Sequence, residues 1–154
     1  MQEAQTFRYY LRVRYGECDQ QGVVFNARYG DYVDLACTEF LNTVLGRANV
    51  GGNVFEMQVV KLLIEWTAPA RYDDALEISV MLKSLGTTSF ALGFEMRKVS
   101  NGAGETIVTA ETVNVHMDPK SWTKSALPEA MRAKLTAGGR GQFVDHAGVF
   151  TGKV

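Results

Sequence analysis

The sequence has little of what marks several large classes of protein. Only 2 of its 154 residues are cysteine, which are too few for a disulfide framework or a cysteine-rich zinc site. No apolar run approaches the ~20 residues that a membrane-spanning helix needs. The N-terminal residues lack the basic start and apolar stretch of a secretory signal. We therefore predict a cytoplasmic protein that has reduced thiols and does not bind a membrane.

An excess of charge of one sign is also absent. The chain carries 16 Lys and Arg against 17 Asp and Glu, so its formal net charge is −1. Proteins that bind nucleic acid by electrostatic attraction normally carry a basic stripe, and this chain is not predicted to be one of them. A weak net charge also does little to oppose self-association.

Several catalytic and cofactor-binding motifs are missing as well. His116 and His146 have no ligand-like spacing to each other or to Cys18 and Cys37, so no metal site is predicted. The sequence has neither a Gly-x-Ser-x-Gly nucleophile elbow nor a glycine-rich phosphate-binding motif. We therefore predict no metal and no other cofactor.

The patterns that are present predict one domain spanning residues 1–154. Hydrophobic residues make up 46% of the chain, and a chain of this length can bury roughly 70% of its unfolded surface. The core is expected over residues 7–135. Glycines cluster from Gly138 onward, and this C-terminal tail is predicted to be loosely held.

Hydrophobic periodicity predicts an α+β fold. Period-two alternation predicts strands, and three-to-four spacing predicts a long helix that starts at Asn26 as N-cap and stops at Gly46. The predicted elements are a strand over 7–15, this helix of roughly 18 residues, an antiparallel meander of strands over 55–67, 75–85, 88–99 and 106–117, and a short helix over 128–135. One helix cannot cover both faces of such a sheet, so a homodimer is the economical arrangement.

The loop before the long helix is the strongest candidate for a reactive site. Asp19 lies in a glycine-containing loop just ahead of the predicted helix N-terminus. The first backbone N–H groups of a helix lack partners and carry partial positive charge, so they can stabilise negative charge that develops on a carbonyl oxygen. A nearby carboxylate can attack the carbonyl itself or remove a proton from water. This arrangement suits acyl transfer.

Residues 13–40 resemble the signature of hotdog-fold acyl-CoA thioesterases of the 4-hydroxybenzoyl-CoA thioesterase family. The matching parts, in order, are Arg14-Tyr15, Asp19, Gly22, Val23-Val24-Phe25, Tyr29 and Asp34. Residues 68–78 and the Leu127-Pro128 pair continue the resemblance. It implies a hotdog fold, in which a five-stranded antiparallel sheet wraps a long central helix. It also implies a homodimer or homotetramer with active sites at the subunit interface.

The resemblance assigns the site as well. Asp19 is similar to the family's catalytic carboxylate, and either role, nucleophile or general base, stays open. The backbone N–H of Asn26 is similar to the group that polarises the thioester carbonyl, although several family members carry Tyr or His there. The resemblance further implies substrate contacts from Phe25, Tyr29, Asp34, Thr88 and Ser89. Packing explains Phe25 equally well and Tyr29 better, and a solvated helix acid is the simpler explanation of Asp34.

The predicted function is hydrolysis of a small aromatic or a short-to-medium aliphatic acyl-CoA to the free acid and coenzyme A. An alternative is a binding protein that holds an acyl-CoA or a carrier-bound acyl chain without cleaving it, and a third is a purely structural dimer module. Hotdog dehydratases use a histidine-based site. The first half of this chain has no histidine, which counts against that branch.

Overall fold

The computed structural model describes residues 6–51, 54–99 and 103–150. Within these ranges the chain forms two α-helices and six β-strands. In chain order they are β1 (Phe7–Arg12), α1 (Arg28–Leu45), β2 (Glu56–Trp66), β3 (Ala75–Leu85), β4 (Ser89–Val99), β5 (Ala103–Met117), α2 (Glu129–Ala137) and β6 (Phe143–Asp145). Short 3-10 turns cover Tyr15–Glu17 and Arg47–Asn49. The predicted α+β hotdog architecture is confirmed.

The six strands form one sheet in the order β2-β5-β4-β3-β1-β6. All neighbouring pairs are antiparallel except β1 and β6, which run parallel. The predicted four-strand meander is wrong at its first step, because β2 pairs with β5 at the sheet edge rather than with β3. Only β3, β4 and β5 follow one another as hairpins. The connection from β2 to β3 therefore crosses over the sheet to a non-adjacent strand.

Helix α1 packs its apolar stripe on one face of the sheet. Its buried side chains are Tyr29, Tyr32, Val33, Ala36, Cys37, Glu39, Phe40, Leu41 and Leu45. They meet inward-facing residues of the central strands, of which Ile78, Leu92, Phe94 and Met96 are at most 2% exposed. Three-to-four spacing predicts an apolar stripe of seven side chains on this helix, and all of them are buried except Val44, which is half-buried. Cys37 and Leu45 extend the stripe.

The start of α1 differs from the prediction. The helix begins at Arg28, and the preceding residue, Ala27, is its cap and already has helical dihedral angles. The Arg28 N–H donates to the Phe25 carbonyl at 2.8 Å, so a helical turn is present before the first full helical residue. Asn26 lies inside that turn, and its side chain does not cap the helix.

The C-terminal segment is more ordered than its glycines predicted. Strand β6 pairs with β1, and the Asp145 carboxylate accepts hydrogen bonds from the backbone N–H groups of Ala147, Gly148 and Phe150, all at 2.9 Å. Ala147 is 6% exposed. Residues 143–150 are thus attached to the sheet, which raises the predicted five strands to six.

Strand β2 is an open edge with much exposed apolar surface. Its exposed side chains include Val59, Val60, Leu62, Leu63 and Trp66, each between 45% and 59% exposed. They point to both faces of the sheet, because successive residues of a strand alternate sides. A long apolar edge is a ready template for pairing with another strand.

Candidate active site

Asp19 sits at the tip of a small hairpin between β1 and α1. The Asp19 N–H donates to the Val23 carbonyl at 2.9 Å, and the Gly22 N–H donates to the Asp19 carbonyl at 3.0 Å. Gly22 has a φ of +75°, which glycine adopts without strain. The Asp19 Oδ1 accepts the Gln21 N–H at 2.8 Å. This turn holds the backbone of Asp19 while its side chain remains exposed.

Two cavities adjoin this hairpin. An open cleft of about 710 Å³ is lined by Asp19 together with Tyr15, Gly16, Cys18, Gln20, Gly22 and Tyr72. A second cavity of about 250 Å³ is lined by Asn26, Val23, Val24, Tyr29, Trp66, Thr67, Ala68 and Pro69. Asp19 and Asn26 therefore line two different cavities of the one chain, and both cavities adjoin the same hairpin.

The backbone at Asn26 is suited to bind an oxyanion. Among the described residues, nothing accepts a hydrogen bond from the N–H groups of Asn26 and Ala27. Both groups precede the first turn of α1, where the helix dipole adds partial positive charge. Asn26 is also exposed, so a carbonyl oxygen can approach these donors from the cavity.

Tyr29 contributes to both the packing and the cavity wall. It is 1% exposed, and its hydroxyl oxygen accepts the Ala70 N–H at 3.0 Å. Its ring meets that of Trp66 edge-on, with the centroids 5.9 Å apart. Burial raises the pKa of Tyr29, which keeps its hydroxyl protonated. Phe25, in contrast, is 53% exposed, so a purely core role for Phe25 does not hold in the isolated chain.

The remaining predicted contacts lie away from Asp19. Asp34 is exposed on α1. Thr88 and Ser89 lie where β3 turns into β4, and the Thr88 carbonyl accepts the His116 N–H at 2.8 Å. The Asp19 hairpin instead adjoins the start of β3, where the Val13 N–H donates to the Asp74 carbonyl at 2.9 Å. Because β3 has 11 residues, its ends are about 35 Å apart, so one chain does not bring Thr88 and Ser89 to Asp19.

Sequence reasoning missed three residues beside Asp19. Tyr15 and Tyr72 are 81% and 59% exposed, and their rings meet edge-on with the centroids 5.9 Å apart. Such exposure leaves aromatic ring faces open toward the cleft. Glu17, only 6% exposed, is the buried acid of the segment. The sequence signal that could have indicated Glu17 is its position, three residues after Arg14, with which it pairs, and two residues before Asp19.

The two thiols differ sharply in their surroundings. Cys37 is buried in α1, and burial, with a smaller contribution from the Asp34 charge, raises its pKa to about 12. Cys18 is partly exposed in the cleft beside Asp19. Since the thiolate is the reactive form, we expect Cys18 to react with a thiol reagent in the folded protein and Cys37 to react only after unfolding. Two equally fast thiols in a titration of the native protein would contradict this.

Neither a membrane span nor a metal cluster is found in the part of the chain that the structure describes. No helix there is long and apolar enough to cross a membrane. No group of three His, Cys, Asp or Glu side chains there converges on a point.

Comparison with known proteins identifies the family. A family model described as the thioesterase-like superfamily matches residues 13–135. The chain is similar to the acyl-CoA thioester hydrolase YbgC of Escherichia coli O157:H7, with 31% identity over 130 residues, which cover 84% of this chain and 95% of YbgC. It is also 26% identical over 124 residues to a putative esterase of Aquifex aeolicus, covering 80% of this chain and 92% of that protein.

Solved structures agree on the fold. The probable thioesterase YbaW from Escherichia coli matches with a TM-score of 0.72 at 25% identity, over 85% of this chain and 97% of YbaW. The gentisyl-coenzyme A thioesterase BH1999 matches with a TM-score of 0.74 at 22% identity, over 83% of this chain and 98% of that one. The residues that the family model matches, 13–135, contain the Asp19 hairpin, α1 and strands β2 to β5. By the family model and the similarity to YbgC, the chain belongs to the thioesterase-like superfamily and is a thioester hydrolase.

Proposed function

We propose that this protein is an acyl-CoA thioesterase in which Asp19 drives hydrolysis. The observation that carries the proposal is the exposed carboxylate of Asp19 on a hydrogen-bonded hairpin. The return arm of this hairpin pairs at Val24, two residues before Asn26 and the unbonded N–H groups at the helix start. The similarity to YbgC supports acyl-CoA as the substrate class. A cytoplasmic location fits the proposal.

The reaction needs no group beyond these residues, water and the substrate. The thioester carbonyl oxygen accepts hydrogen bonds from the N–H groups of Asn26 and Ala27 as negative charge develops on it. If Asp19 is the general base, it removes a proton from water, the water oxygen bonds to the carbonyl carbon, and the carbon–sulfur bond breaks. If Asp19 is the nucleophile, its oxygen bonds to the carbonyl carbon, the carbon–sulfur bond breaks and the thiolate of coenzyme A leaves. Water then hydrolyses the mixed anhydride, which releases the acid and restores the Asp19 carboxylate. Both routes release a carboxylic acid and coenzyme A.

The acyl group in this proposal is a small aromatic or a short-to-medium aliphatic one. The cleft beside Asp19 is open and holds two exposed tyrosine rings, and the cavity beside Asn26 is lined by valines and Trp66. The proposed acyl contacts are Phe25, three residues before α1 begins, and Tyr29 and Asp34 within the first seven residues of the helix.

The functional unit in this proposal is at least a homodimer joined through β2. The apolar edge of β2 is the one long edge of the sheet that lacks a neighbouring strand, and a second copy of β2 fits it by symmetry. Thr88 and Ser89 lie about a strand length from Asp19 in their own chain. They can therefore contact the CoA portion of a substrate only if that substrate is bound at the site of a neighbouring copy. A tetramer built from two such dimers would use the same β2 edge within each dimer.

The test is coenzyme A release over a panel of benzoyl, short-chain and long-chain acyl-CoAs. We expect turnover with at least one small acyl group, and the preferred substrate will define the acyl pocket. Because Cys18 reacts with thiol reagents, release should be followed by chromatography or in a Cys18→Ser background. Tight binding of acyl-CoA without turnover by the folded protein would instead favour the alternative, a non-catalytic acyl-CoA or acyl-carrier binding protein. The absence of both would favour a structural module.

A further inference from the structure

We propose that Glu17 is a positioning residue that fixes the position of the Asp19 carboxylate relative to the Asn26 N–H. The inference rests on the proposed function, since it assigns the group that aligns the two parts of that site. It follows from the bonds that Glu17 makes with its side chain and with its main chain, which point to different elements.

The side chain of Glu17 is a buried carboxylate with every oxygen bonded. Its Oε1 accepts the Arg14 backbone N–H at 2.7 Å and the Tyr32 hydroxyl at 2.9 Å. Its Oε2 accepts the Arg14 guanidinium at 2.9 Å and 3.3 Å. Burial alone would raise the pKa of Glu17, but these hydrogen bonds outweigh it and lower the pKa, so the group stays charged. A fully bonded buried carboxylate permits little rotation of its own chain segment.

The main chain of Glu17 joins the two ends of the site. Its carbonyl accepts the Phe25 N–H at 2.9 Å, and Phe25 immediately precedes Asn26. The next residues, Cys18 and Val24, form an antiparallel bridge, and Asp19 follows at the hairpin tip. Glu17 thus stands at the base of the hairpin, where one arm leads to the carboxylate and the other to the unbonded N–H groups.

Tyr32 extends this link to α1. It lies one turn after Tyr29, and the two rings meet edge-on with the centroids 5.7 Å apart. Tyr29 holds the Ala70 N–H, and the Ala70 carbonyl accepts the Val24 N–H at 2.9 Å. The helix is therefore linked to the hairpin at two points. Tyr32 bonds Glu17 at the base, and Tyr29 bonds Ala70, which in turn bonds the return arm. Among these bonds, those of Glu17 alone reach both the arm that leads to Asp19 and the helix.

The test replaces Glu17 with glutamine, which keeps the side-chain shape and one carbonyl oxygen but removes the negative charge. An amide then stands in place of the carboxylate that pairs with the Arg14 guanidinium. We expect kcat on the preferred acyl-CoA to fall about 10- to 100-fold, because small displacements of reacting groups cost rates of this order. KM should change less than about threefold, since binding of the substrate does not use the alignment. Tyr32→Phe removes one of the four bonds and should cause a smaller fall in kcat.

Glu39→Gln is the matched control. Glu39 is the other buried acid of the described chain, its side chain is 12% exposed against 8% for Glu17, and it pairs with Arg47 at the same 2.9 Å. Glu39 lies in the second half of α1, away from the hairpin. We expect Glu39→Gln to lower the melting temperature as Glu17→Gln does and to leave kcat unchanged.

The outcomes separate this inference from the proposed function. A wild-type protein that cleaves no thioester contradicts the function itself. Turnover by wild type that Glu17→Gln retains in full, or that Glu39→Gln loses equally, overturns the positioning role. A rise in KM at unchanged kcat overturns it too. If Glu17→Gln does not fold, Tyr32→Phe decides, because it leaves the Arg14 bonds in place, and unchanged kcat in that variant counts against the inference.

Discussion

Replacing Asp19 with asparagine is expected to reduce kcat by about 10²- to 10⁴-fold, the range that a positioned acid–base group contributes. The asparagine side-chain oxygen can still accept the Gln21 N–H that Asp19 accepts, because Asn and Asp support the same local turn. The variant should therefore keep the hairpin and lose only the charge. KM for the preferred acyl-CoA should stay within about threefold, and steady-state kinetics on that substrate measures both constants.

Asp118→Asn provides the control for this substitution. The Asp118 Oδ1 accepts the Lys120 N–H two residues on, at 2.9 Å, in the same kind of turn. Asp118 directly follows β5 and lines neither cavity at the Asp19 hairpin. Its loss of charge should leave kcat at the wild-type value. Full activity in Asp19→Asn, with the fold confirmed by circular dichroism, would remove the carboxylate from the mechanism.

Replacing Leu62 with glutamate is expected to dissociate the proposed dimer into monomers. Leu62 is 48% exposed on β2, and it packs beside Gly30 of α1. Its cross-strand neighbour on β5 is the uncharged Thr112, so the new charge does not face a like charge across this strand pair. An unpaired carboxylate buried in the proposed interface should weaken association more than 100-fold, because buried unpaired charges cost several kcal/mol. Light scattering should give 17.0 kDa instead of twice that mass.

This substitution should also abolish most of the turnover, since the proposed site takes Thr88 and Ser89 from a second copy. Phe143→Glu is the matched control, because Phe143 is 45% exposed on β6 at the opposite edge of the sheet. That variant should remain a dimer with wild-type turnover. A fully active monomer of Leu62→Glu would contradict the shared site, and an unchanged dimer would move the interface elsewhere.

The local elements could be predicted because their patterns depend on nearby residues. Strand β3 begins and ends at the predicted residues, Ala75 and Leu85, where alternation is regular and both ends have clear turn signals. The apolar stripe of α1 was found for the same reason. The Asp19 hairpin was located by the order of charged, glycine and apolar residues in one short segment.

The features that failed depend on residues distant in the chain. The run of Val, Ile and Leu in β2 is equally typical of a central strand and of a covered edge, and only its pairing with β5 decides between them. Strand β6 has three residues, too few for a periodic signal, and its place is set by β1. The role of Glu17 depends on Tyr32, which lies on another element. No local pattern contains such contacts.

The short strand β6 also limits how many copies can join edge to edge in one sheet. A sheet with two open edges can add chains at both ends and grow into a fibre, as edge-to-edge stacking does in aggregates. Here the β1 edge is occupied by three residues and then closed by the Asp145 turn, so it offers little backbone to a further chain. Pairing through β2 uses up the one long edge of each copy. In the proposed dimer, growth of the sheet therefore stops at two chains, and the apolar β2 edge can be retained without making the protein prone to polymerise.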